Sequence, residues 1–192
     1  MTNAPRFETL HQMASSEWLA NIRTSMSQDV WPIECVRCKQ VEDSGNASIR
    51  QHALATHAQL LDSRSDYLVL GGVLDNVCNS ACQTCDEKLS TKIGSLRSKD
   101  YVKINNSSVI NTLPIERIVQ MDINGGEPSA SPNYLKLLDN LPPNVKYLRL
   151  NTNGSRVLTA LPGLIERGVE VTVTVSLDGI GRVHDYVRWP TT

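Results

Sequence analysis

From Tyr67 onward the chain repeats one pattern: an apolar run short enough for a strand, a loop of polar or special residues, then a segment with helical spacing. The runs are Tyr67 to Leu74, Ile115 to Ile123, Val145 to Leu150 and Val169 to Leu177, the last β-branched at most positions. Runs of this kind suit strands buried on both faces, the condition of a parallel sheet covered by its crossover helices. Helices are predicted over Asn133 to Leu141, closed by Pro142-Pro143, and over Val157 to Arg167, stopped by Gly168. Parallel strands joined by right-handed crossovers gather the loops that follow them at one end, where sheets and barrels of this class bind ligands. Those loops hold Cys78, Cys82 and Cys85 after the first run and Asn124-Gly125-Gly126-Glu127-Pro128 after the second. Asn151 to Gly154 follow the third, and Ser176-Leu177-Asp178-Gly179 the fourth. The expected fold class is therefore α/β.

The texture before Ser65 differs, which divides the chain into a small, mainly helical extension over residues 1–64 and an α/β core over 65–192. Leu10, Ala14, Trp18, Ile22 and Met26 recur every four positions and predict one helix from Glu8 to about Ser27, its apolar stripe packed on a core. Trp31-Pro32 ends it. Cys35-Val36-Arg37-Cys38 follows, then a polar loop over Glu42 to Asn46 and a second helix over about Ala47 to Leu61.

With 19 basic and 20 acidic side chains among 192 residues, the chain has no charge excess to gather nucleic acid or an anionic membrane. Nothing approaches the roughly 18 consecutive apolar residues of a spanning helix, and the first 30 residues lack the layout of a secretory signal. The expectation is a cytoplasmic protein with neither a nucleic-acid nor a membrane partner. No Gly-x4-Gly-Lys-Ser/Thr loop supports triphosphate hydrolysis, and no Gly-x-Ser-x-Gly elbow supports a hydrolase triad. His11, His52, His57 and His184 are scattered through the chain.

Five cysteines in a reducing compartment, odd in number and tightly spaced, point to thiolates gathered for a metal rather than to disulfides. Cys78-x3-Cys82-x2-Cys85 sets three thiols on one loop directly after a strand. Three local thiolates can hold three corners of a cubane iron–sulfur cluster, leaving one iron open to a distant ligand or to an exogenous molecule. Zinc is the alternative: Cys82-x2-Cys85 with Cys35-x2-Cys38 makes a four-thiolate structural site, in a binding or scaffold module without chemistry. That arrangement gives Cys78 no role. Spacing alone leaves both metals open.

A C-x3-C-x2-C loop after the first strand, Gly-Gly-Glu-Pro after the second, and polar residues after the third and fourth resemble the radical S-adenosylmethionine (radical SAM) enzymes. The likeness covers about Tyr67 to Tyr186 and extends to the branch with a SPASM or twitch cysteine extension. The resemblance implies an incomplete parallel (β/α) partial barrel, a [4Fe–4S] cluster on Cys78, Cys82 and Cys85, and SAM chelated to the open iron. It also implies an external electron donor and reductive cleavage of SAM to a 5′-deoxyadenosyl radical that abstracts a substrate hydrogen. The Gly125, Gly126 and Glu127 motif receives the SAM amino group, and Asn153, Ser176 and Asp178 contact ribose and carboxylate. The N-terminal segment is similar to the tail of a SPASM-like extension, in Trp18, Ile22-Arg23, Trp31-Pro32, Cys35-x2-Cys38, Glu42, Gly45 and Ser48-x-Arg50. There the cysteine pair helps ligate an auxiliary iron–sulfur cluster; here Cys35 and Cys38 either complete a site with ligands from elsewhere or form a degenerate one. The extension's likeness points to a peptide or protein substrate.

Two departures go with the resemblance. The position before the last cysteine of the loop, commonly aromatic in the family, is Thr84. At roughly 30 residues per strand–helix unit, Ser65 to Thr192 has room for about four of the family's six units. This sequence is therefore expected to be a fragment or a chain truncated at both ends, with an exposed sheet edge and poor solubility or activity, the alternative being an inactive remnant that retains the cluster loop.

Overall fold

The computed structural model describes residues 5, 7–56, 68–97, 101–110 and 112–190. The chain divides into two compact units, Met1–Asp66 and Tyr67–Thr192.

In the N-terminal unit, α1 (Leu10–Ala14) and α2 (Glu17–Ser27) stand where one helix is expected. The break falls at two serines. Ser15 Oγ donates to the carbonyl of His11, and Ser16 caps α2 by accepting from Leu19 N. Serine side chains compete for backbone groups in this way, which ends one helix and starts the next. The stripe of Trp18, Ile22 and Met26 is only half-covered and no residue of α2 is fully buried, because so small a unit cannot bury a full apolar face. A 3₁₀ turn (Ile33–Cys35) leads into α3 (Val36–Asp43), which takes up the first two residues of the expected loop; α4 is Ile49–Thr56. Ala47 and Ser48 precede the helix, and the expected second helix beyond Thr56, His57 included, lies outside the described residues.

The C-terminal unit is built on an all-parallel sheet in the order β1-β2-β3-β4: β1 (Leu68–Val73), β2 (Ile118–Asn124), β3 (Tyr147–Thr152) and β4 (Glu170–Val175). Neighbours in space are neighbours in sequence, so the order has no reversal of the kind that marks doubly wound sheets. Helices α5 (Thr91–Arg97), α6 (Ser107–Ile110), α7 (Pro132–Asp139), α8 (Leu161–Glu166) and α9 (Arg182–Val187) lie between or after the strands. The core is made by the central strands and the helix that joins them. Ile118, Met121, Leu148, Leu150, Tyr134 and Leu138 are essentially inaccessible, and Tyr134 Oη donates to the carbonyl of Asn124 at 2.5 Å.

In this unit two boundaries differ by three residues or more from the sequence reading. Ile115 to Arg117 form a 3₁₀ turn after Pro114, and the ladder begins only at Ile118. Helix α8 begins at Leu161, not Val157, because Pro162 has no N–H to donate and is tolerated only in a first turn. Val157 is left 86% exposed. Both border strands show apolar surface: Val69 on β1, Val173 and Val175 on β4. Among the described residues no helix is long and apolar enough to cross a membrane.

Candidate functional site

All four strands run the same way, so the loops after β1, β2 and β3 and the residue after β4 meet at one end of the sheet. The loop after β1 is anchored by two buried polar residues to which the sequence reading gave no role. Asp75 Oδ1 accepts from Val77 N at 3.0 Å, while Oδ2 accepts from Ser131 Oγ at 2.6 Å and Asn133 Nδ2 at 2.8 Å, fastening the loop to the start of α7. Asn76 donates through Nδ2 to the carbonyls of Lys88 and Val102 and accepts at Oδ1 from Ile104 N. The signal for both was their position: an acid and an amide directly after an apolar run, where burial demands partners. Further on, Cys78 N donates to Thr91 Oγ1, Ser90 Oγ to the carbonyl of Ser80, and Cys85 N to the carbonyl of Cys82.

The turn after β2 lies against this loop. Glu127 N donates to the carbonyl of Val77 at 2.7 Å. Gly126 has φ +47°, and a Cβ built on it would sit 2.2 Å from the Val77 carbonyl oxygen; at Gly125 (φ +99°) a Cβ would sit 2.3 Å from a Val73 methyl. Only glycine permits both the left-handed backbone and this approach.

Glu127 is 1% exposed. Its Oε1 accepts from Ser129 N (3.0 Å), Ser129 Oγ (2.7 Å) and Thr152 Oγ1 (2.6 Å), and its Oε2 from Asn153 N (2.6 Å). The side chain thus ties the β2 turn to the end of β3. Asn153 extends the tie, donating from Nδ2 to Asn79 Oδ1 and Ser80 Oγ, both at 2.9 Å, and accepting at Oδ1 from Ser155 N. The turns after β2 and β3 therefore buttress the cysteine loop through side chains whose hydrogen-bonding groups are engaged within the protein.

A cavity of about 340 Å³ opens where these segments meet. Cys78, Cys82 and Cys85 line it together with the Gly125 to Glu127 turn, Asn153 and Ser176. Thr84 also lines it. Asp178 does not. Its carboxylate accepts from Arg188 Nε, and Arg188, which does line the cavity, directs Nη1 to Cys82 Sγ at 3.8 Å. Arg188 was not singled out from the sequence, since only the fold of α9 brings it to the loop.

All three loop cysteines are free thiols, and burial pushes each of them up from the usual thiol range. A backbone N–H partner pulls against this at Cys78, the Arg188 guanidinium at Cys82, and a hydrogen bond at Asp86 at Cys85. Binding a metal would release the protons. Among the described residues no three His, Cys, Asp or Glu side chains are grouped around a point as ligands of one ion.

Cys35 and Cys38 belong to the N-terminal unit, at the end of the 3₁₀ turn and in the first turns of α3. Both are free and half-exposed; burial, then the neighbouring Cys38, raises the Cys35 thiol. Four of the other residues noted in this segment, Trp31, Glu42, Ser48 and Arg50, do meet. Glu42 accepts from Ser48 Oγ (2.6 Å) and from Arg50 Nε and Nη2 (3.0 and 2.5 Å), and the Arg50 guanidinium lies 4.9 Å from the Trp31 ring centre. No protein-family profile matches the chain, and no curated protein or solved structure is significantly similar to it, so the functional reading rests on the geometry of this site.

Proposed function

We propose that this chain is a radical SAM iron–sulfur enzyme of the SPASM/twitch branch, its four strand–helix units forming part of a (β/α) barrel of that type. The observation that carries the reading is the shared cavity. Three thiols of one loop line it together with a glycine turn from the next strand. The donor set suits a cluster better than a single ion. Three cysteines of one loop match three corners of a cubane with one iron left open, whereas a structural zinc takes four protein ligands. Cys78, Cys82 and Cys85 would hold it.

When bound, a [4Fe–4S] cluster with SAM supplies one-electron cleavage of the sulfonium to a 5′-deoxyadenosyl radical, with the electron coming from an external donor. The protein's part is to bind, orient and exclude water. The Glu127 carboxylate is occupied by four donors, so acceptance from the SAM amino group falls to backbone carbonyls of the Gly125 to Glu127 turn. Asn153, likewise engaged, holds the cysteine loop in place and leaves Ser176 as the free polar group at the end of β4 for the ribose or carboxylate. The substrate class we favour is a peptide or protein.

Anaerobic reconstitution with ferrous iron and sulfide tests the reading. The expected result is brown protein with charge-transfer absorption and about four irons per chain, lost in Cys78→Ala. Colourless protein carrying one zinc, indifferent to Cys78→Ala, would overturn it in favour of the structural module. Reduced, cluster-loaded protein should then release 5′-deoxyadenosine from SAM; no product would reduce the chain to a cluster carrier.

A further inference from the structure

The contact between Arg188 and Cys82 is unexplained by the binding of SAM alone. Arg188 follows α9, and its backbone neighbours are laced to the cysteine loop: Ala81 N donates to the carbonyl of Trp189 at 2.5 Å and Gln83 N to that of Val187 at 2.8 Å. The guanidinium is therefore fixed relative to the thiol of Cys82 by main chain as well as by side chain. Asp178 completes the clamp by accepting from Nε. With its side chain only 16% exposed, Arg188 holds a permanent positive charge where solvent screens it weakly.

We propose that Arg188 is a positioning residue that sets the reduction potential of the cluster through Cys82, with Asp178 as its counterweight. The inference rests on the cluster reading given above. A bound cluster would take one electron from a low-potential external donor, with no bond broken and no proton moved. The added negative charge is favoured by a nearby cation and by hydrogen bonds to ligand sulfur, both recognised determinants of cluster potential. Arg188 supplies both at one atom. Asp178 opposes it in charge while keeping its planar fork turned to the sulfur.

The two residues therefore predict shifts of opposite sign, which a merely structural role would not produce. Mediated redox titration of the reconstituted protein, followed by electron paramagnetic resonance, reads the midpoint directly. Arg188→Gln should lower the reduced-to-oxidised ratio at a fixed potential by tenfold or more, about 59 mV for a one-electron couple. Asp178→Asn should raise that ratio, and Arg188→Lys, which keeps the charge, should lie between wild type and Arg188→Gln. If Arg188→Gln does not assemble a cluster, the sign of the Asp178→Asn shift decides. Full iron content with all three midpoints within a twofold ratio of wild type, or Asp178→Asn moving downward, would overturn the role of Arg188 and leave the cluster reading standing. A wild-type chain that takes up zinc and no cluster overturns both.

Discussion

Glu127→Gln separates two roles for a deeply buried acid of the site. If the carboxylate serves chiefly as a ligand contact, the amide should leave the metal-free protein as stable as wild type. The geometry says otherwise. Glutamine can keep Oε1 facing Ser129 N, Ser129 Oγ and Thr152 Oγ1, but its Nε2 then confronts the Asn153 N–H, donor against donor. One hydrogen bond to a charged group is lost, worth about 1.5–3 kcal/mol, and a buried N–H is left without an acceptor at about 1–3 kcal/mol. Partial relaxation of the turn brings the expected loss to about 3 kcal/mol, with no discount for solvent at a residue 1% exposed. Hydrogen exchange of the metal-free protein is the assay, because the C-terminal unit can be followed by itself. Amides of β2 and β3 should exchange roughly 100-fold faster in the variant. A change under twofold would refute the argument that Glu127 joins the β2 and β3 turns.

Other expectations follow from particular contacts. Gly126→Ala places a methyl against the Val77 carbonyl at a left-handed backbone position and should cost about 3 kcal/mol; Gly163→Ala in α8, where nothing lies within 4 Å, should be neutral or slightly stabilising by the same exchange measurement. In the N-terminal unit, hydrogen bonds from Arg50 and then Ser48 hold the Glu42 carboxyl below its ordinary range. A depressed folded value means stability present above the unfolded value of about 4.3 and lost as pH falls through the folded one. Protection of α3 and α4 amides should drop on acidification below about pH 4, and Glu42→Gln should show weakened protection at neutral pH without that step; identical acid profiles would contradict this. Val173→Lys, on the border strand β4, should reduce light scattering at high protein concentration, since a charge blunts edge-to-edge pairing; unchanged scattering would locate the association elsewhere.

The parts of the fold legible in sequence were those set by local composition. The four apolar runs are strands because each is short and bounded by turn residues, and their parallel order follows from the helices between them. The expected cover on both faces holds for β2 but not for β1 and β4, no residue of which is buried. The thiols, the glycine turn, Asn153 and Ser176 stood out because they punctuate strand ends, and all of them line one cavity. Their partners were harder to see. That the Glu127 carboxylate turns inward depends on Thr152 and Asn153, 25 and 26 residues away, which no local pattern encodes. The pairing of Asp178 with Arg188 needs the turn that begins α9, and the split between α1 and α2 turned on which backbone groups Ser15 and Ser16 would take. Helix and strand follow from neighbours along the chain; hydrogen-bond partners follow from neighbours in space.

The lacing between Ala81 to Gln83 and Val187 to Trp189 has a consequence for how the protein is made. The thiols of the loop are synthesised first, and the segment that pins them, including Arg188 at a separation of 106 residues, follows later. At ribosomal speeds of about 5–20 residues per second the delay is roughly 5 to 20 seconds. During that interval the sulfurs sit on an unfastened loop, open to oxidants and to whichever soft cation arrives first, so any metal loading into the pinned loop belongs after translation of Trp189.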